Sequence, residues 1–217
     1  MLYKRFPRPG CHQPKIRCRG FEESWEYISL GDLGTIYTGL TARSRSDFGC
    51  GSARYVPYKN VFKHTITDTT QLYPIKRVEG QTCVRYGDVF FTLSSEVPEE
   101  VGLSSVWLGR GRDIYLNTFC FGYRPKIDID PYFLAYILRS PSIRQQIIFL
   151  AQGVSRFNVS RAKIMKIKIP IPSRAEQQKI GVFFKTLDYD LECHLQKINK
   201  LETIKKSMLH KLFPSRG

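Results

Sequence analysis

The stretch that most constrains this chain is residues 173–213, which carry an apolar repeat that one helix cannot bury against itself. Ile180, Phe184, Leu187, Leu191, His194, Ile198, Leu201, Lys205, Met208 and Leu212 recur at alternating steps of four and three, with no Pro or Gly between Gly181 and Pro214. This spacing is that of a coiled-coil seam, with Phe184, Leu191, Ile198, Lys205 and Leu212 at a and the others at d. Ser173 follows Pro172 and stands three residues before Glu176, the capping-box spacing that starts a helix. About 41 residues at roughly 1.5 Å each make a rod on the order of 60 Å long, more than a small domain covers. Each buried Leu or Ile contributes about 1.5–3 kcal/mol, so the distal seam calls for a partner. Ile180, Phe184, Leu187, Leu191, His194, Ile198, Leu201, Met208 and Leu212 are the residues expected to meet that partner, and His194 is a polar residue in mid-seam, a place where one such residue tunes register.

Ahead of the rod, the 217-residue chain has room for one domain of ordinary size. Lys and Arg number 34 against 19 acidic residues, a formal +15. From Ser173 onward there are nine basic and five acidic residues, a net +4, so the preceding part carries +11. A polyanion is the expected partner of that part. Residues 1–20 form a basic arm rich in Pro, with Lys4, Arg5, Arg8, Lys15, Arg17 and Arg19 among Pro7, Pro9 and Pro14. Residues 21–172 are the domain, 173–213 the helix and 214–217 a tail. Met1, Leu2, Lys4, Phe6, Pro7 and Gly10 recur in register as Met208, Leu209, Lys211, Phe213, Pro214 and Gly217. Such an echo is what one period of a tandem duplication leaves, so the chain reads as half of a two-repeat protein.

β-branched and aromatic runs predict short strands at 26–30, 35–38, 55–61, 88–93, 106–108 and 119–123. Residues 43–54 read as a polar, basic, mobile loop. Asp130 with Pro131 and Ser140 with Pro141 start two helices, the second ending at Gly153. Residues 164–171 read as a last strand with Lys163, Lys166 and Lys168 at its fringe. The expected fold class is therefore α+β: one mixed α/β domain followed by a long C-terminal coiled-coil helix.

No constellation supports chemistry. Asp130 to Phe133 has the look of an adenine-methyltransferase loop but lacks its second Pro, and a helix cap accounts for it. No Gly-rich phosphate or methyl-donor loop follows a strand. No Pro-Asp pair is followed by the Glu-x-Lys of nucleases, and four His give little scope for a Ser-His-Asp triad. Cys11, Cys18, Cys50, Cys83, Cys120 and Cys193 include no C-x-x-C pair. No metal and no cofactor are expected, and the cysteines read as small buried hydrophobes. With no leader and no long apolar run, a cytoplasmic protein with reduced thiols and no membrane contact is expected.

Five segments carry a family resemblance: Pro14 to Phe21 with Trp25, Ser29 to Leu33, Gly87 to Glu96, Ala151 to Ser160, and Ile169 to Pro172 followed by Glu176 to Ile180. In this order, ending in a long helix, they resemble the specificity subunit of type I restriction-modification enzymes in a single-repeat form. The resemblance implies a non-catalytic target-recognition domain that reads half of a split duplex DNA sequence. It implies helices that pair antiparallel as a spacer, adenine-N6 methyltransferase subunits that dock on them, and restriction subunits directed to the same target. A single-repeat chain would then form an antiparallel homodimer through those seam residues, its dimerisation residues, with His194 close to the two-fold axis, reading a gapped palindrome.

DNA contact needs cations for phosphates and amide or guanidinium groups for base edges. Three sets qualify: Arg43, Arg45, Arg54, Lys59 and Asn60; Ser94, Ser95 and Glu96 at a strand end; and Gln152, Ser155, Arg156 and Asn158 after the Gly153 helix stop. The bland readings are solvated charge, turn chemistry and a structural turn, the last carrying about equal weight for the third set. Two rival classes remain: a stand-alone nucleic-acid enzyme, and a basic coiled-coil adaptor outside restriction-modification.

Overall fold

The computed structural model describes residue 14 and residues 16–213. Most of the basic arm and the terminal echo lie outside them. The chain divides into two compact units, residues 1–181 and 182–217.

The first unit runs β1 (Glu26–Ser29), α1 (Leu30–Leu33), β2 (Gly34–Thr38), β3 (Phe48–Val56), α2 (Tyr58–Lys63), β4 (Tyr73–Ile75), β5 (Val89–Thr92), β6 (Ser94–Ser95), β7 (Ser104–Val106), β8 (Ile114–Leu116), β9 (Cys120–Pro125), α3 (Pro131–Arg139), α4 (Pro141–Phe149), β10 (Phe157–Asn158), α5 (Arg161–Met165) and β11 (Lys168–Ile171). The first turns of α6 (Arg174–Leu212) also belong to it. An antiparallel sheet in the order β2-β9-β5-β7 forms the centre. A second sheet has the order β4-β3-β8, with β3 antiparallel to β4 and parallel to β8. β1 pairs antiparallel with β11, from Glu26 opposite Ile171 to Ser29 opposite Lys168, and β6 pairs with β10.

β5 shows why its sequence is an unbroken apolar run: every residue of it is buried. Val89 and Phe91 enter a core with Trp25, Leu30, Phe121, Tyr123, Phe133, Ile137, Ile147 and Ile169. Phe90 enters another with Val56, Trp107 and Leu116. Period-two alternation thus feeds both faces of one strand, and no face is left to be polar.

Asp88, 1% exposed, anchors the start of β5. Its carboxylate accepts from Arg124 Nε at 2.8 Å and Nη2 at 2.7 Å, from the Tyr37 hydroxyl at 2.7 Å and from the Arg85 amide at 2.8 Å. The hydrogen bond that Arg124 donates to Asp88 raises the Arg124 pKa, and burial raises that of Tyr37. Tyr37 crosses β9 at Gly122, where a Cβ would lie 2.0 Å from its ring. Gly122→Ala is therefore expected to cost about 1–3 kcal/mol in urea unfolding, through displacement of Tyr37 from Asp88.

Several expectations are corrected. Residues 43–54 are no loop: a 3-10 turn at Arg45–Asp47 leads directly into β3. β3 bulges, with Phe48 and Ala53 both opposite Ile75, and Gly49 and Gly51 adopt φ of +83° and +101° to make the bulge. At Gly51 a Cβ would come within 2.5 Å of the Ile75 carbonyl. The strand expected over 55–61 ends at Val56, because Pro57 caps α2. The strand expected over 164–171 starts at Lys168, and Ile164 lies in α5. Of the described cysteines Cys120 is buried, which pushes its thiol up to about 12, whereas Cys50 is exposed.

Glu176 has a task other than the capping box. It is fully buried, and its carboxylate accepts from Arg17 Nε at 2.9 Å, Arg17 Nη2 at 3.0 Å and Trp25 Nε1 at 3.1 Å. Gln177 beside it accepts from the Asp130 amide and donates to the Pro172 carbonyl, both at 2.9 Å. Gly181 faces the start of α3, where a Cβ would meet Tyr132 and Phe133 within 3.0 Å.

In the second unit Leu187, Leu191, Ile198, Leu201, Met208 and Leu212 are 41–70% exposed. Leu195, Ile204 and Leu209, beside the a and d positions, are exposed as well and widen the stripe. Ile180, the first residue of the seam, instead packs on the core of the first unit.

Candidate nucleic-acid interface

The site grows from α2. Tyr58 and Phe62, four residues apart on one helical face, stack with ring centroids 5.9 Å apart. The last carbonyls of α2 are satisfied from α3: the Arg139 guanidinium donates to Val61, Phe62 and His64, and also to Ser104. Arg144 of α4 likewise donates to the carbonyls of Glu99, Val101 and Gly102. Burial pushes both guanidinium groups down to about 10, so both remain cations at neutral pH. These half-buried arginines fix α2 and the loop through Glu100.

Between them runs the small β6-β10 sheet. Ser94 lies opposite Asn158 and Ser95 opposite Phe157, and Gln152 bridges to Asn158. Gly153 permits this turn, with φ +143° and no room for a Cβ, which would lie 2.1 Å from the Arg156 carbonyl. The second and third sequence sets, about sixty residues apart in the chain, are thereby brought together. Arg156 donates through Nε at 3.1 Å and Nη2 at 2.9 Å to the Ser94 hydroxyl. Ser95 donates to Glu100 Oε2 at 2.9 Å, and the Tyr58 hydroxyl donates to the Ser94 carbonyl at 2.9 Å. Burial raises the Tyr58 pKa further, so it stays a donor. Tyr58, Phe62, Ser94, Ser95, Glu96, Glu100 and Arg156 line one cleft of about 280 Å³.

The sequence-derived residues are thus distributed unevenly. Ser94, Ser95, Glu96 and Arg156 line the cleft; Gln152, Ser155 and Asn158 are exposed on the adjoining turn and strand, and Lys59 is exposed on α2. Arg43, Arg45 and Arg54 are exposed at the second sheet, where Arg43 donates to the Thr41 carbonyl and Arg54 to those of Gly51 and Ala53. Asn60 is withdrawn from the interface. It is fully buried, donates to the carbonyls of Asp68 and Gln71 and accepts from the Asp68 amide, so its amide ties the chain after α2 to that helix. Tyr58, Phe62 and Glu100 escaped the sequence reading. The four-residue spacing of Tyr58 and Phe62 is the signal that marks them, and the strand preference of residues 55–61 masks it.

Among the described residues no three His, Cys, Asp or Glu side chains form a metal-holding group, and no helix is long and apolar enough to cross a membrane.

Comparison with known proteins gives consistent matches. The putative type I restriction enzyme MjaX specificity subunit of Methanocaldococcus jannaschii is 27% identical over 203 residues, 88% of this chain and 46% of the relative. The StySPI specificity subunit of Salmonella potsdam is 26% identical over 188 residues, 85% of this chain and 40% of the relative. Among solved structures, a type I restriction-modification S subunit from M. genitalium superposes with a TM-score of 0.55 at 16% identity, covering 88% of this chain and 46% of that one. The HsdS subunit from Thermoanaerobacter tengcongensis gives 0.56 at 15%, covering 90% and 46%. At such identity these structures establish the shared fold: a mixed α/β domain with a long C-terminal helix. The chain spans less than half the length of these relatives. The family model described as the type I restriction modification DNA specificity domain matches residues 22–203, most of the chain, which therefore belongs to that family.

Proposed function

We propose that this chain is a non-catalytic specificity subunit that reads one half of a bipartite duplex DNA target and directs methyltransferase and restriction subunits to it. The carrying observation is the cleft between α2 and the β6-β10 sheet, where hydrogen-bonding groups from three parts of a strongly basic domain converge. Phosphate contacts would come from exposed cations around it, Lys59 first and Arg43, Arg45 and Arg54 at the second sheet. Base contacts would come from the cleft and from Gln152, Ser155 and Asn158 on its flank. Two copies joined through α6 would place two such clefts on one duplex and read a gapped palindrome. The test is co-expression with a type I methyltransferase subunit, followed by sequencing of methylated adenines. A new, gapped and two-fold symmetric methylated sequence is expected. Absence of any new methylated sequence, with both subunits soluble, overturns the reading.

Binding is also expected to weaken steeply with salt, because phosphate neutralisation releases counterions. Lys59→Ala should weaken all duplexes alike and reduce the slope of log K against log salt by about 0.9. Fluorescence anisotropy at several salt concentrations measures both. A slope that does not change removes Lys59 from the phosphate contacts.

A further inference from the structure

The cleft holds an arginine and two carboxylates side by side, and that mixture limits what it can receive. A phosphate entering it would meet Arg156 but also Glu96 and Glu100, so the local balance is against an anion. The edge it suits is one that presents acceptors and a donor together. In the major groove both kinds of base pair do this, but only guanine sets two acceptors, O6 and N7, side by side for an arginine fork, with the cytosine N4 amino group beside them as the donor for a carboxylate.

The structure holds both reading groups in place through neighbouring residues of β6. Arg156 spends Nε and Nη2 on the single hydroxyl of Ser94. A guanidinium has five N–H groups, so its terminal edge keeps donors for a bidentate contact. Glu100 receives the Ser95 hydroxyl on Oε2, which fixes the carboxylate and leaves Oε1 to accept. Tyr58, tied to the Ser94 carbonyl, and Phe62 supply the apolar wall against which a base edge can lie. We infer that this cleft reads one G·C base pair of the half-site, with the Arg156 fork on guanine and the Glu100 carboxylate on the amino group of cytosine.

This assignment rests on the DNA-reading function proposed above, and one experiment separates the two. The full-length chain is used to select duplexes from a randomised library, alongside Arg156→Lys, Glu100→Gln and Lys59→Ala. Arg156→Lys keeps the charge and loses the fork. Glu100→Gln keeps an acceptor for Ser95 and removes the negative charge. The wild type should enrich a motif with an invariant G·C pair at one half-site position. Both cleft variants should lose about tenfold or more of their discrimination at that one position. The other positions should persist, and Glu100→Gln should bind unselected duplexes more tightly than wild type. Lys59→Ala should retain the whole motif at lower affinity. If the wild-type motif survives unchanged in both cleft variants, or the position that relaxes is an A·T pair, the inference is overturned while DNA reading stands. If the wild type enriches no motif, both fall.

Discussion

In sedimentation equilibrium Leu191→Asp is expected to convert a dimer into monomers. Leu191 sits mid-seam in α6 and is 61% exposed, with Leu187, Ile198 and Leu201 exposed on the same stripe. An apolar side chain at such a position contributes about 1.5–3 kcal/mol once covered. Two copies meet in the proposed pair, so the substitution acts twice and removes roughly 3–6 kcal/mol, about a hundred- to ten-thousand-fold in the dimer dissociation constant. The buried aspartates add a desolvation cost in the same direction. Leu191→Met, which conserves volume, should leave the dimer nearly intact. The first unit should keep its near-ultraviolet circular dichroism in both variants. A wild type that is monomeric at every accessible concentration would remove the second copy as occupant of the seam, and with it the palindromic target.

Glu176→Ala should lower the unfolding free energy by about 3–5 kcal/mol, the cost of breaking a buried ion pair from one side. Its carboxylate, with only 1% of the side chain exposed, is the acceptor for both Arg17 and the Trp25 indole, and Arg17 is itself only 15% exposed. Removing it strands a half-buried cation and a buried indole N–H together. Arg17 donates also to the Glu23 carbonyl, so the guanidinium cannot simply swing to solvent without losing that contact too. Glu176→Gln should lose less, since an amide oxygen can still accept from Trp25. Urea unfolding at fixed protein concentration, followed by tryptophan fluorescence, gives the values. A loss under about 1 kcal/mol, the range of exposed ion pairs, would show that Arg17 and Glu176 do not hold the root of α6.

What the residues disclosed in advance divides along physical lines. The helices begin where Asp130 with Pro131 and Ser140 with Pro141 place them: the Asp130 side chain caps the first, the Ser140 side chain makes no cap bond, and the fixed φ of each Pro is a local signal in both. β5 was legible from its unbroken apolar run. β3 was not, because Gly49 and Gly51, which read as loop residues, are what allow its bulge against Ile75. α2 was concealed by Tyr, Val and Phe, whose strand preference yields here to capping of its end by Arg139, a residue some 75 positions away. The cleft follows the same rule. Ser94, Ser95, Glu96 and Arg156 were each visible as polar groups at strand ends or turns, but only the β6-β10 pairing puts them in one place. Asn60 failed as a surface candidate because its donors and acceptor are used by backbone groups after α2, a fact no local pattern records.

The pairing of β1 with β11 also governs how the domain comes to exist. Ser29 waits for Lys168, so about 140 residues must be made before the first strand finds its neighbour. At roughly 5–20 residues per second that is on the order of ten seconds of synthesis. Through that interval β1 has both edges unpaired, and the Trp25 indole lacks the Glu176 carboxylate that later accepts from it. A contact map this non-local also predicts slow refolding from denaturant. The hazard of aggregation therefore falls on the unfinished chain on the ribosome, and a truncation before Lys168 should be insoluble however intact its central sheet.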